Sequence, residues 1–372
     1  VRFKAAVLHG LNERFAIESV TLQPLAPGDV LVRLHASGLC HTDLEVIEGA
    51  LAYPLPIVLG HEGAGVVERV GSAVTQVKPG DHVVCSWNPH CGHCFYCERD
   101  QPILCEPFSR HQPAGRLLDG GSRLRLDGDR LLHHFSVVSS HAQYCVVPES
   151  GAIAVPHEIP FDRACLIGCG VMTGVGAACR MARIDAGASV VVVGCGAVGL
   201  NVVQGARLQQ ADTIVAIDRD PARLALARTM GATHLIGPDA GGPTEQAAAI
   251  RALTGGRGAD YAFECAGGEA ALQAMLDALR PGGQGVILGK VAVDRPVSLR
   301  FGSLMGERRL IRSSYGGARP RRDFPWLARL YLDGRLQLDA LITQRLPLER
   351  IDEGFDAMRA GRTLRTVLEI AH

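Results

Sequence analysis

The chain has no excess of either charge. Lys plus Arg and Asp plus Glu both number 38, so no global field recruits nucleic acid, anionic lipid or a highly charged substrate, and any charge selectivity has to be local. The N-terminal stretch VRFKAAVLHGLNERF carries charges inside its first apolar run and holds no long hydrophobic segment, unlike a signal peptide or a transmembrane helix. We therefore expect a cytoplasmic protein with neither a membrane nor a nucleic-acid partner. Internal repeats and low-complexity tracts are also missing. The Arg-rich patch at 319–322 reads as a solvated loop.

What is present is a chain of 372 residues with 47% hydrophobic content, long enough to bury a large core and to favour two domains over one. Its first 170 residues or so carry short strand patterns punctuated by Gly and Pro, such as VLVRLHASG at 30–38, GAGVVERVG at 63–71 and DHVVCSW at 81–87, and predict a compact all-β body with inserted loops. From Ser189 apolar runs alternate with helical stretches (SVVVVGC, AVGLNVVQGARLQ, TIVAID, DPARLALARTMG). That alternation predicts a doubly wound parallel sheet, and so an α/β fold. After about residue 314 the pattern gives a helix and short elements rather than another strand–helix unit, and this tail is expected to return to the first domain.

Gly194, Gly196 and Gly199 form G-x-G-x-x-G directly after SVVVV and at the opening of AVGLNVV, with Ala197 and Val198 between the last two glycines. The first glycine permits a tight turn, the second lets a pyrophosphate approach the backbone, and the third lets helix and sheet pack. The next strand, TIVAID, ends in Asp218, roughly 20 residues further on, where an acid can bind ribose hydroxyls and repel a 2′-phosphate. NAD is thus favoured over NADP, although Arg219 and Arg223 lie close enough to weaken the preference.

Twelve cysteines raise the question of a disulfide scaffold, but such scaffolds are small and secreted, so thiolates for metal are the better reading. Cys91, Cys94, Cys97 and Cys105 fall within one short loop that also holds Pro89, Gly92, Pro102 and Pro107. Four thiolates suit tetrahedral zinc and leave no open position, which makes the site structural; an iron–sulfur cluster is the competing reading. Cys40, His61 and Cys169 are dispersed, and spacing alone does not group them.

Resemblance groups them. SGLCHTD, GHEGAGVV, the four-cysteine lobe, IGCGVMTG and GCGAVG follow one another in the order found in the medium-chain zinc alcohol dehydrogenases, and the likeness runs the whole chain. It implies a GroES-like catalytic domain from 1–170 and 315–372, with a zinc lobe at about 89–107, and a Rossmann domain at 171–314. It implies two zinc ions per chain, the catalytic one held by Cys40, His61 and Cys169 with a fourth position open. Glu62 matches the family's acidic neighbour of the metal, and Asp43 its carboxylate that orients the ligand histidine. Thr42 matches a hydroxyl that takes the alcohol's proton; capping the helix TDLEVIEG is a compatible role. Where close relatives continue the relay with histidine, this chain has Glu45. His41 and Arg365 match coenzyme-contacting positions and Thr173 a nicotinamide contact, though Arg365 also reads as a surface charge on the strand TVLEI.

Resemblance further implies a small-molecule partner, an alcohol or its aldehyde. Leu51 and Ala52 stand where glutathione-dependent formaldehyde dehydrogenases carry an acid, which disfavours a glutathione adduct. Trp87 matches a substrate-pocket position, and its flat ring suits a primary alcohol with an aromatic or allylic carbon. The alternative substrate is a mycothiol or other thiol adduct of formaldehyde, whose carboxylates Arg110 and Arg116 could meet. A zinc-stabilised NAD-binding sensor is the non-enzymatic competitor. Relatives with the long segment after the lobe are usually homodimers joined through their Rossmann sheets, for which RLIRSSYG at 309–316 would be the edge.

Overall fold

Unbroken β-branched runs build a parallel sheet that is covered on both faces. In the computed structural model, which describes residues 1–292 and 294–372, Val190 to Val193 form most of the strand Ser189–Val193, and their side chains are all buried. Six parallel strands lie in the order His234–Ile236, Thr213–Ile217, Ser189–Val193, Ala259–Glu264, Leu279–Ile287 and Arg309–Arg312. The chain works outward from Ser189–Val193 on one side and then restarts on the other, so the strand order reverses beside Ser189–Val193. In open α/β sheets ligands bind outside the carboxyl ends of the strands at such a reversal. Helices Ala197–Leu208 and Glu269–Ala278 cover the sheet, and Val191, Val215, Ile250, Met275 and Leu276 share one core. These elements belong to a compact unit of residues 170–318.

The second unit comprises residues 1–169 and 319–372. Its organising element is the long strand Asp29–Gly38, which pairs along one side with Glu62–Val70. On its other side Tyr144–Pro148 occupies residues 29–33 and Arg365–Glu369 occupies residues 36–38. The C-terminal segment therefore lies directly beside the residues that lead into Cys40.

Two expectations for this tail need correction. Strand Ile342–Pro347, helix Ile351–Arg359 and strand Arg365–Glu369 do form a further strand–helix–strand unit, the two strands lying parallel. Its first strand is hard to read because it is an edge strand that carries Gln344, Arg345 and Pro347. The Arg-rich patch is a helix start rather than a loop: helix Pro320–Leu332 begins there, Arg319 pairs with Asp100, and Arg322 pairs with Asp323.

Among the described residues one helix, Phe161–Ala182, is long and apolar enough to cross a membrane by length and composition; 78% of its apolar window is buried inside the protein, as in a core helix.

Candidate metal and dinucleotide sites

Among the described residues, two groups of side chains could hold a metal ion, and each has its ligand atoms within 4.8 Å of one another. The first is Cys91, Cys94, Cys97 and Cys105. Short 3-10 turns at Cys97–Arg99 and Pro102–Leu104 fold the loop back on itself, with Pro102 starting the second. The Cys91 and Cys97 sulfurs lie 4.0 Å apart and those of Cys94 and Cys97 3.5 Å apart. A tetrahedron with Zn–S of about 2.3 Å has edges of about 3.8 Å, so the four thiols are already spaced for zinc. Against burial, backbone N–H groups of Glu106 and Cys97 bring the Cys94 thiol down to about 6, which readies it as a thiolate.

The second group is Cys40, His61, Glu62 and Cys169, brought together from three elements. Cys40 is the N-cap of helix His41–Ile47, and Asp43 turns its Oδ2 back to accept the Cys40 N–H at 3.0 Å. Thr42, expected as a cap, instead lies inside the first turn, its Oγ1 3.8 Å from the Cys40 sulfur. His61 follows the buried strand Ile57–Val58. Cys169 sits in a π-turn, Ile167–Val171, within the long helix; such turns recur at functional sites because they shift side chains out of α register.

Asp43 is fully buried and has a second task. Its Oδ1 accepts the Gly60 N–H at 3.0 Å and lies 3.3 Å from His61 Nδ1. That contact leaves Nε2 as the free donor atom of the ring. A hydrogen bond from the Cys169 thiol, followed by the fields of His61 and Arg365, holds the Cys40 thiol well below its usual range. The same hydrogen bond, with burial, pushes Cys169 up. Burial would lower His61, but Asp43 and Cys40 raise it. Two thiols and one imidazole suit zinc with an open position.

Arg365 is not the surface charge that its strand suggested. It is buried, with Nη1 donating to the Leu39 carbonyl at 2.9 Å and Nη2 2.9 Å from Glu62 Oε1. Burial nonetheless pushes the Glu62 carboxyl up to about 7. Glu45 is half-buried one turn after Thr42, and His41 is exposed. Leu51 packs half-buried on the core that includes Leu39 and Ile47. Trp87 lies between the two cores of this unit, its ring 6.5 Å from that of Phe108. Sequence reasoning passed over Phe135, whose buried ring stands 5.5 Å from His61 and 5.0 Å from Tyr53. No local pattern marks it.

In the other unit each glycine of the turn after Ser189–Val193 has its own reason. Gly194 has φ +94°, which L side chains rarely adopt. A Cβ on Gly199 would fall 1.8 Å from the Gly194 carbonyl oxygen, whereas one on Gly196 would meet nothing within 4 Å. The open side of Gly196 faces space at the N-terminus of helix Ala197–Leu208, which begins with Ala197 and Val198 and is a ready anion site. Asp218 Oδ2 accepts the Cys195 N–H at 2.6 Å and Oδ1 the Asp220 N–H at 2.9 Å. Those bonds leave lone pairs for ribose hydroxyls. Arg219 is exposed, Arg223 pairs with Asp220 at 3.5 Å, and Thr173 is half-buried in helix Met172–Gly176.

Residues 26–157 match the family described as "Alcohol dehydrogenase GroES-like domain" and residues 197–333 that described as "Zinc-binding dehydrogenase". The chain belongs to the zinc-dependent medium-chain alcohol dehydrogenases. It is 37% identical to an S-(hydroxymethyl)glutathione dehydrogenase of Paracoccus denitrificans over 99% of this chain and 100% of that one. Among solved structures it is similar to an alcohol dehydrogenase zinc-binding domain protein from Burkholderia ambifaria, with 38% identity, full coverage of both chains and a TM-score of 0.95. It is also similar to the benzyl alcohol dehydrogenase of Acinetobacter calcoaceticus, with 31% identity, full coverage of both chains and a TM-score of 0.93. The expected α/β architecture of a GroES-like domain plus a Rossmann domain is that of this family of zinc oxidoreductases.

Proposed function

We propose that the protein oxidises a primary alcohol with an aromatic or allylic carbon to its aldehyde, and catalyses the reverse, passing hydride to NAD. The observation that carries this reading is the meeting of Cys40, His61 and Cys169 with the Thr42 hydroxyl on the same helical turn as Cys40. Zinc held there would act as a Lewis acid that lowers the pKa of an alcohol. NAD supplies the hydride acceptor.

The protein's own groups do the rest. Asp43 fixes His61 so that Nε2 faces the thiols. Thr42 Oγ1 takes the alcohol proton, and Glu45, one turn on, is the next acceptor toward solvent. Arg365 balances the charge of Glu62 and of the thiolates. The open face of Gly196 takes the pyrophosphate, and Asp218 takes the adenosine ribose, which favours NAD. Trp87 and Leu51 offer apolar walls, and the likeness to a benzyl alcohol dehydrogenase supports an aromatic substrate.

The second reading is a thiol adduct of formaldehyde, favoured by the likeness to an S-(hydroxymethyl)glutathione dehydrogenase. A panel of benzylic, allylic and aliphatic alcohols and of glutathione and mycothiol adducts of formaldehyde, followed by NADH formation, separates the two. The highest kcat/KM on an adduct would overturn the first reading.

The cytoplasm, where thiols stay reduced, suits a chain with six cysteines in its two metal groups. For a homodimer, the edge strand Arg309–Arg312 and the exposed Phe301 (76%) and Met305 (60%) provide an unpaired, apolar border. Light scattering that gives a monomer mass would remove that part of the proposal.

A further inference from the structure

Three buried polar side chains outside the ligand set converge on Asp43. Ser140 Oγ lies 2.7 Å from Ser37 Oγ, which lies 3.0 Å from His141 Nδ1. His141 Nε2 lies 3.9 Å from Asp43 Oδ1, the oxygen that also contacts His61. Ser37, Ser140, His141 and Asp43 are all 0% exposed. Such groups are costly in a core unless their partners are built in.

The backbone is arranged to hold them. The His141 N–H donates to the Leu59 carbonyl at 3.0 Å and the Ser140 N–H to the Gly60 carbonyl at 2.9 Å. Gly60 has φ +91°, and a Cβ there would fall 2.5 Å from His141 Nδ1 and 2.6 Å from Ser140 Oγ. The residue just before His61 is thus glycine because the imidazole and the hydroxyl press against it.

Burial pushes the His141 ring down to about 4, so it is neutral, with one N–H and one lone pair. A lone pair on Nε2 would face the Asp43 carboxylate, which is repulsive. The opposite tautomer aims Nε2–H at Asp43 and lets Nδ1 accept from the Ser37 hydroxyl, which in turn accepts from Ser140. At 3.9 Å the Nε2–H acts on Asp43 as an oriented dipole in a low-dielectric core rather than as a hydrogen bond.

We propose that His141, its tautomer set by Ser37 and Ser140, is a positioning residue for the catalytic metal: it anchors the Asp43 carboxylate and through it the ligating tautomer and orientation of His61. The inference rests on the reading of Cys40, His61 and Cys169 as a zinc site.

The test compares the wild type with Ser37→Ala and His141→Phe. Zinc release to a chromogenic chelator resolves the two-thiolate site from the lobe, and Co2+ substitution gives a d–d spectrum that reports ligand geometry. His141→Phe is expected to release the two-thiolate zinc about 10-fold faster or more, the range seen when such outer partners are removed. Ser37→Ala should change it in the same direction by less. In both variants the Co2+ bands should move while release from the lobe stays unchanged. Wild-type release rates and band positions in both variants would overturn the inference. Ser37→Ala removes one hydroxyl and no ring, so it decides alone should His141→Phe fail to fold. A wild-type chain that binds only one zinc would overturn the proposed function itself, before either variant is read.

Discussion

Replacing Gly196 by alanine separates coenzyme binding from folding. Its φ of −69° and ψ of −175° suit any L residue, and nothing lies within 4 Å of the added methyl. Reduced freedom in the unfolded chain favours the variant by about 0.4–1 kcal/mol. Loss of glycine from the N-cap opposes this by a similar amount, about 0.5–1 kcal/mol. Stability should therefore change by less than about 1 kcal/mol, or a few degrees in Tm. The methyl would, however, stand where a pyrophosphate has to lie against the helix N-terminus. Losing two amide hydrogen bonds to a charged group, at about 1.5 kcal/mol each, removes about 3 kcal/mol, or about 100-fold in Kd. Fluorescence titration with NADH and differential scanning calorimetry measure the two quantities on the same sample. Gly199→Ala is the control with the opposite signature, because its Cβ would sit 1.8 Å from the Gly194 carbonyl oxygen and should lower Tm sharply. Wild-type NADH affinity in Gly196→Ala would show that this turn does not carry the coenzyme.

Cys40→Ser should lower bound zinc from two per chain to one and abolish turnover while NADH still binds; retained turnover would take Cys40 out of the metal site. Asp218→Ala removes the acceptor of the Cys195 and Asp220 N–H groups, and should raise the kcat/KM ratio of NADP to NAD roughly tenfold, equivalent to about 1.4 kcal/mol. An unchanged ratio would assign the choice to another residue. Burial pushes His134 down to about 3, and its Nε2 accepts the Arg123 N–H. Because the folded-state pKa lies below the unfolded value of about 6.5, the associated stability is complete above about pH 6.5 and is lost as pH falls toward 3. Near pH 4.5 about two pKa units, or about 3 kcal/mol, should be gone. Urea unfolding of the wild type and His134→Gln across this range should show a shallower loss in the variant, and equal slopes would contradict the reasoning.

The sites differ in how far the sequence exposes them, and the difference follows from chain distance. Cys91 to Cys105 close one loop, and Gly194 to Gly199 close one turn, so local spacing carries both. Cys40, His61 and Cys169 sit on a helix cap, after a short strand and in a π-turn. Nothing local binds them to one another, and only likeness to a family grouped them. Ser37, His141 and Phe135 reach the site through tertiary folding, with Ser37 and His141 104 positions apart. Thr42 has the better capping side chain and so hides Cys40 as the cap; Asp43, turning back to the Cys40 N–H, sets the helix start two residues earlier. In the tail, polar residues and proline on an edge strand hid a parallel pair that the main sheet advertised with valines.

The helix Phe161–Ala182 passes from one compact unit to the other without a linker, and the crossing falls at Cys169, the last residue of the first unit. Recombination between relatives has unequal seams as a result. At the downstream boundary, Ala318 to Arg319, a donor segment can be joined just ahead of a helix. Upstream, a crossover placed at the unit boundary itself falls inside a continuous helix and directly beside Cys169. A chimera built to exchange coenzyme preference should keep residues 161–182 from the parent that supplies Cys40 and His61, and take its foreign sequence only from the strand Ser189–Val193 onward.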